Sequence, residues 1–209
     1  MFLLTFLGLF NQDISINDIA FAAWTGGNVM SRIIAMASTC YQFLPTIDVY
    51  TDKISKKEYN TMYKSSNHLN LFIHVTPTFN KYLDFTAHDS PYGKAQSRHL
   101  YVVYDIYKRY PNKKWYFILD DDSFIQPQIL LHILQTNDYN HSKPMLIGAP
   151  YGHANTFTKY TFDKKNTAFV QGGAGILISH AMMKDIAPTI MNCSLMLQSP
   201  TYQVDIRLS

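Results

Sequence analysis

Trp115-Tyr-Phe-Ile-Leu-Asp120-Asp121-Asp122-Ser123-Phe-Ile125 is the stretch on which the reading of this chain turns. An apolar run rich in aromatic residues, long enough for one buried strand, ends in three consecutive carboxylates. Adjacent negative charges repel one another, and ionised carboxylates beside a core are costly unless something positive compensates them. A hard divalent cation with oxygen ligands supplies that compensation and would in turn hold a phosphorylated ligand. A metal–phosphate site is therefore the leading expectation. The alternative is a strand that ends in a solvated acidic turn, because charge runs are usually exposed faces.

Working outward, strand-like and helical patterns alternate along the chain. Ile19 to Trp24 reads as a first strand, stopped by the turn-forming Thr25-Gly26-Gly27-Asn28. Residues 29–43 carry Ile33, Met36, Ala37 and Cys40 at helical spacing and end at Pro45. Ile47 to Thr51 is a second strand, with Asp52 at its end, and Leu69 to Val75 is a third, stopped by Pro77. Residues 94–110 place Leu100, Val103, Tyr104 and Tyr107 on one face of an amphipathic helix that Pro111 ends. Pro127 to Leu134 is a helix with proline in its first turn, and Met145 to Gly148 a strand. Tyr151 to Asp163 reads as a hairpin or loop. Ala168-Phe-Val170 leads into Gln171-Gly172-Gly173-Ala174-Gly175, a strand over 176–178 and a helix over 180–186. This alternation predicts an α/β sandwich around a mostly parallel sheet, whose ligands sit at the carboxyl ends of strands. Thr25, Asp52 and Asp120–Asp122 all fall at such ends.

The 209 residues suit one domain with a real core, and 47% hydrophobic content with 16% charge is globular. A formal charge of +3, without a basic block, gives no reason to expect a nucleic-acid partner. Cys40 and Cys193 are too few and too far apart for a disulfide framework or a zinc site; one long-range disulfide and two separate thiols both remain open. Asn140-His-Ser and Asn192-Cys-Ser fit the glycosylation sequon at a frequency that chance supplies. Met1 to Phe10 is an apolar run, short for a membrane span but suited to a signal-peptide region, although it lacks a basic flank. Residues 1–12 are accordingly read as the remnant of a signal or anchor segment, with 13–209 as the folded domain.

Several of these residues recur together in a known family. Asp18-Ile19-Ala-Phe-Ala-Ala-Trp-Thr25, Ser31-Arg32, Tyr50-Thr51-Asp52, Lys114-Trp115, Asp120-Asp-Asp122 and Gly172-Gly-Ala-Gly175 followed by Ser179 resemble the Fringe-like glycosyltransferases, which include the core-1 β-1,3-galactosyltransferases. The resemblance implies a GT-A-type nucleotide-sugar fold and inverting transfer of a hexose of Gal or GlcNAc type from a UDP-sugar to a glycan or glycoprotein, with a β-1,3 linkage. It implies that Thr25, Arg32 and Asp52 hold the uridine end. Asp120 and Asp122 would form the metal motif, with Asp122 the direct manganese ligand and Asp120 nearer the ribose, and Asp121 would belong to the same donor-binding group. Gly172 and Gly173 would let backbone approach a sugar, since glycine lacks the obstructing side chain. Val204-Asp205-Ile206-Arg207-Leu208 resembles the family segment that carries the catalytic carboxylate, which makes Asp205 the candidate base. By the same analogy the protein is a type II enzyme of the Golgi or endoplasmic-reticulum membrane with its catalytic part in the lumen.

The chain departs from the family pattern at Val204, where an acidic or amide residue is usual, and at Ser209, where glycine is usual. The family also has a metal-binding histidine after the base. Neither His153 nor His180 matches that position, so the C-terminal part of the domain is expected to be missing or the metal site incomplete. Two other readings follow: a member that binds nucleotide or glycan without turnover, and an aspartate-nucleophile phosphatase in which Asp120 attacks phosphorus and Asp122 is the general acid.

Overall fold

The computed structural model describes residues 14–65, 71–76, 91–137, 139–151, 169–170 and 172–192. The segment 1–12, His153, Cys193 and Asp205 lie outside the described residues. In chain order the elements are β1 (Ile19–Trp24), α1 (Met30–Ala37), β2 (Ile47–Thr51), α2 (Lys56–Ser65), β3 (Leu71–Val75), α3 (Pro91–Arg109), β4 (Trp115–Asp120), α4 (Pro127–Thr136), β5 (Leu146–Gly148), β6 (Pro150–Tyr151), β7 (Phe169–Val170), β8 (Ile176–Ser179) and α5 (His180–Ile186). Short 3-10 turns occupy Ile16–Asp18, Cys40–Phe43 and Gly172–Ala174.

The main sheet has six strands in the order β3-β2-β1-β4-β8-β5, and β6 pairs with β7 apart from it. β1 runs parallel to both β2 and β4, and β2 parallel to β3. β8 is antiparallel to β4 and to β5. The expected sheet is thus parallel across four strands, with β8 the one reversed strand among the six.

β1 explains the layering. All six of its residues are buried, and successive side chains point to opposite faces. Ile19, Phe21 and Ala23 pack with Met30, Ile33 and Ala37 of α1, Met62 of α2 and Leu134 of α4. Ala20, Ala22 and Trp24 pack with Leu100, Val103 and Ile106 of α3 and Met183 of α5. Each large side chain buried in these two cores contributes roughly 1.5–3 kcal/mol. A continuous apolar run, rather than an alternating one, is what a strand covered by helices on both faces requires.

Several element boundaries differ from the sequence-based expectation, chiefly among the helices. The helix expected over 29–43 stops at Ala37, where the Ser38 and Thr39 hydroxyls donate to the carbonyls of Ile34 and Ala35 at 2.8 and 2.9 Å. Such back-bonding competes with the helical ladder. The chain then tightens into the Cys40–Phe43 turn, and Cys40 is a buried free thiol. α2 was absent from the expectation because its sequence is polar, yet a capping box marks its start. Ser55 N–H donates to the Glu58 carboxylate at 2.9 Å, and Glu58 N–H donates to Ser55 Oγ at 3.2 Å. α3 begins at Pro91, three residues before the expected start. α4 runs on past Leu134 to Thr136.

The joint between β8 and α5 rests on one hydroxyl. Ser179 Oγ donates to Lys143 O at 2.8 Å and accepts from Met145 N–H at 2.9 Å and Met182 N–H at 3.2 Å. It therefore caps α5 and ties β5 into place. His180 packs on Tyr107 with ring centroids 6.1 Å apart, as a structural residue would.

Just before β8, Gly175 has φ +84°, and a Cβ there would lie 2.8 and 2.9 Å from ring carbons of Phe117. Gly175→Ala is expected to destabilise the fold by about 2–4 kcal/mol, combining the left-handed backbone cost with overpacking. Gly173→Ala, where a Cβ meets nothing within 4 Å among the described residues, is expected to change stability by less than about 0.5 kcal/mol. Urea denaturation of both variants checks the contrast.

Candidate active site at the carboxyl rim

β1, β2 and β4 are parallel, so the residues that follow them emerge on one rim. β1 lies between β2 on one side and β4 on the other, which makes the gap between β1 and β4 the point where strand order reverses, a position that opens a crevice in such sheets. Trp24 pairs with Asp120 in register. The next residues, Thr25 and Asp121, therefore meet directly over that gap.

Asp121 is nearly fully buried, and both its oxygens are engaged. Thr25 Oγ1 donates to Oδ2 at 2.7 Å, and Arg32, from the first turn of α1, donates to Oδ1 at 2.7 Å. Arg32 also reaches Asp122 Oδ2 at 3.5 Å. Its side chain is 51% exposed and that of Asp122 61% exposed, whereas that of Asp121 is 7% exposed. The hydrogen bond to Asp121 raises the Arg32 pKa above its ordinary value, so the guanidinium is cationic throughout. The triplet thus has one buried member, Asp121, whose two oxygens are both engaged, and an exposed member, Asp122, that the same guanidinium reaches at longer range.

Asp120 is partly buried at the end of β4. Burial, with the charges of Asp121 and Asp122 acting in the same direction, pushes its carboxyl up to about 6. The Asp121 N–H, donating to Asp120 Oδ1 at 2.8 Å, offsets only part of this. Tyr41 lies fully buried with its hydroxyl unpartnered among the described residues, and burial together with the acidic charges keeps it protonated. The three carboxylates thus share a single cation, Arg32, among the contacts seen here. Carboxylate oxygens of the three aspartates lie within 4.8 Å of one another. A donor set of this kind is chemically suited to a hard divalent cation.

Two backbone turns border the triplet. Ser123 Oγ accepts from Asp120 N–H at 3.1 Å and donates to Gly173 O at 2.8 Å, which brings the glycine turn against the acidic one. On the other side, Gly27 N–H donates to Asp52 Oδ1 at 2.6 Å. A Cβ on Gly27 would lie 2.6 Å from the Lys53 carbonyl oxygen, so only glycine lets the loop after β1 sit on the end of β2. Gly27, Asn28, Lys53, Ile54, Ser55 and Glu58 line an open cleft of about 520 Å³ there.

The structure thus joins Thr25, Arg32, Asp121 and Asp122 by direct contact, with Asp120 in the same turn, Gly173 one hydrogen bond away, and Asp52 bonded to the loop that carries Thr25. Gly172 lies in the same turn as Gly173. Ser123 and Gly27 were not singled out as site residues in the sequence. Serine three positions after Asp120 is a turn signal that could have marked the first. Nothing local marks the close approach that requires the second.

Residues 80–205 match the Fringe-like family. The match spans more than half of the chain. The protein belongs to the Fringe-like family. Thr25, Arg32 and Asp52 precede the matched region; the fold brings Thr25 and Arg32 to the acidic triplet within it and Asp52 to the loop that carries Thr25. No curated protein matches the chain. Among solved structures it is similar to the mannosyltransferase Ktr4p from S. cerevisiae, with a TM-score of 0.56 and 7% identity, over 92% of this chain and 64% of that one. At that identity the likeness establishes a shared fold, and this member of the Fringe-like family spans less than two thirds of Ktr4p. Among the described residues no helix is long and apolar enough to cross a membrane.

The raised Asp120 pKa sets a pH dependence. Between about pH 4 and about pH 6 the folded state holds a proton that the unfolded state has released. The stabilisation is complete below about pH 4 and is lost as pH rises through 6. In metal-free urea titrations, the stability of Asp120→Asn relative to wild type is expected to rise across that window.

Proposed function

We propose that the protein is a metal-dependent, inverting glycosyltransferase that moves a hexose of Gal or GlcNAc type from a UDP-sugar to a glycan or glycoprotein, forming a β-1,3 linkage. One observation carries the reading: in a chain of the Fringe-like family, the acidic triplet, Thr25, Arg32, Asp52 and the glycine turn converge on one rim at the strand-order switch. Family membership favours sugar transfer over the aspartate-nucleophile phosphatase reading.

Asp120 and Asp122 are the residues that would hold a divalent cation, Mn2+ by analogy. When bound, such an ion neutralises the charge that develops on a departing diphosphate. Thr25 and Arg32 are assigned to the uridine side together with Asp52. Because both reach Asp121, their part in donor binding includes holding Asp120 and Asp122 in place. Gly172 and Gly173 leave room for the sugar; Gly173 faces open space. Asp205, assigned from the family resemblance of residues 204–208, takes the proton of the acceptor hydroxyl as that oxygen attacks the anomeric carbon. A luminal site in the secretory pathway follows from the same family analogy.

Calorimetric titration with UDP is expected to give binding in the presence of Mn2+ and little without it. Asp122→Asn is expected to weaken the Mn2+-dependent binding on the order of 10–100-fold. No Mn2+-dependent UDP binding by the intact chain would overturn the donor assignment. In a screen of UDP-sugars against small glycan acceptors, Asp205→Asn is expected to lower transfer by roughly a hundred- to ten-thousand-fold while sparing UDP affinity.

A further inference from the structure

The hydroxyl of Ser123 is the one side-chain hydrogen bond seen between the acidic turn and the glycine turn among the described residues. Ser123 is 5% exposed. A serine hydroxyl has one proton to give, and Ser123 gives it to Gly173 O, 50 residues away in sequence, at 2.8 Å. The same oxygen accepts from Asp120 N–H at 3.1 Å, and the Ser123 N–H closes the turn on Asp120 O at 3.2 Å. One small side chain thus bonds the backbone of a proposed cation ligand to the backbone that would border the transferred sugar.

The two turns differ in what else holds them. Asp120 is fixed by the β4 ladder, in register with Trp24, and the turn beyond it by the Thr25 and Arg32 contacts to Asp121. The glycine turn is anchored at its far end, where Gly175 is wedged against Phe117 and Leu119. At Gly173 nothing among the described residues lies within 4 Å of where a Cβ would sit, and the Ser123 bond holds its carbonyl. Loss of the hydroxyl therefore frees the glycine turn more than the acidic one.

We propose that Ser123 is a positioning residue: it sets the glycine turn at a fixed height over the carboxylates, so that occupation of the acidic turn also orders the sugar side of the site. The proposal rests on the donor-site reading for what occupies the acidic turn, but the coupling itself is a property of the free protein.

Hydrogen–deuterium exchange on the full chain tests it with wild type, Ser123→Ala and Ser123→Thr. Without ligand, Ser123→Ala is expected to speed exchange of amides 172–175 roughly tenfold, the scale of one lost hydrogen bond. Amides of β4 and of 177–179 keep their wild-type rates, and Ser123→Thr, which retains the hydroxyl, restores protection. With Mn2+ and UDP, wild type gains protection at both turns and Ser123→Ala gains it at 120–123 alone. Wild-type exchange at 172–175 in Ser123→Ala would overturn the proposal, and so would faster exchange spread evenly over β4 and β8. If wild type binds no UDP with Mn2+, the donor reading fails, and the ligand-free comparison still decides the role of Ser123.

Discussion

The carboxylate of Asp121 sits in a nearly dry pocket with a hydroxyl on one oxygen and a guanidinium on the other. Its partners, Thr25 and Arg32, come from 96 and 89 residues earlier in the chain. A buried carboxylate is tolerable only when its charge and lone pairs are met, and these two contacts meet them. They also pin the loop after β1, the first turn of α1 and the turn after β4 to one another. The flanking aspartates sit on either side of that anchor, Asp120 partly buried at the end of β4 and Asp122 exposed on the turn beyond it. The proposed cation ligands, Asp120 and Asp122, thus share a fixed base in Asp121, whose own charge is met by Arg32.

That arrangement depends in turn on the sheet. Asp121 can meet Thr25 because β1 and β4 are adjacent, parallel and in a register that aligns Trp24 with Asp120. The register is held by packing on both faces, since Phe21 and Trp24 belong to opposite cores. A slip of one residue would exchange those faces. The helices serve the site indirectly: α1 brings Arg32 to the rim while burying Ile33, and α3 covers the opposite face.

Charge and close approach then shape the rim. Burial and neighbouring charges push the Asp120 carboxyl up to about 6, so its ionised form carries a cost that nearby positive charge offsets. Gly27 and Gly175 admit contacts that a Cβ would block, one between the ends of β1 and β2, the other between the glycine turn and β4. Among the described residues Gly173 shows no such contact.

Much of the scaffold was legible because it is local. The apolar runs at Ile19–Trp24, Ile47–Thr51 and Trp115–Asp120 are strands as read, and Pro127 starts a helix as read. The hydroxyl back-bonding that ends α1 at Ala37 and the polar α2 escaped a reading built on apolar periodicity, although the Ser55–Glu58 box was there to be seen. The acidic triplet, Thr25 and Asp52 were legible as strand-end polar groups. By itself the sequence determined which segments are strands and helices and that three carboxylates follow a buried strand, because periodicity and burial preference act within a few residues. Only the tertiary structure decided that Asp121 is the anchored member, that Arg32 neutralises it and that Ser123 meets Gly173. Those pairings span 50 to 96 residues, and strand order and register, which no short window encodes, bring their partners together.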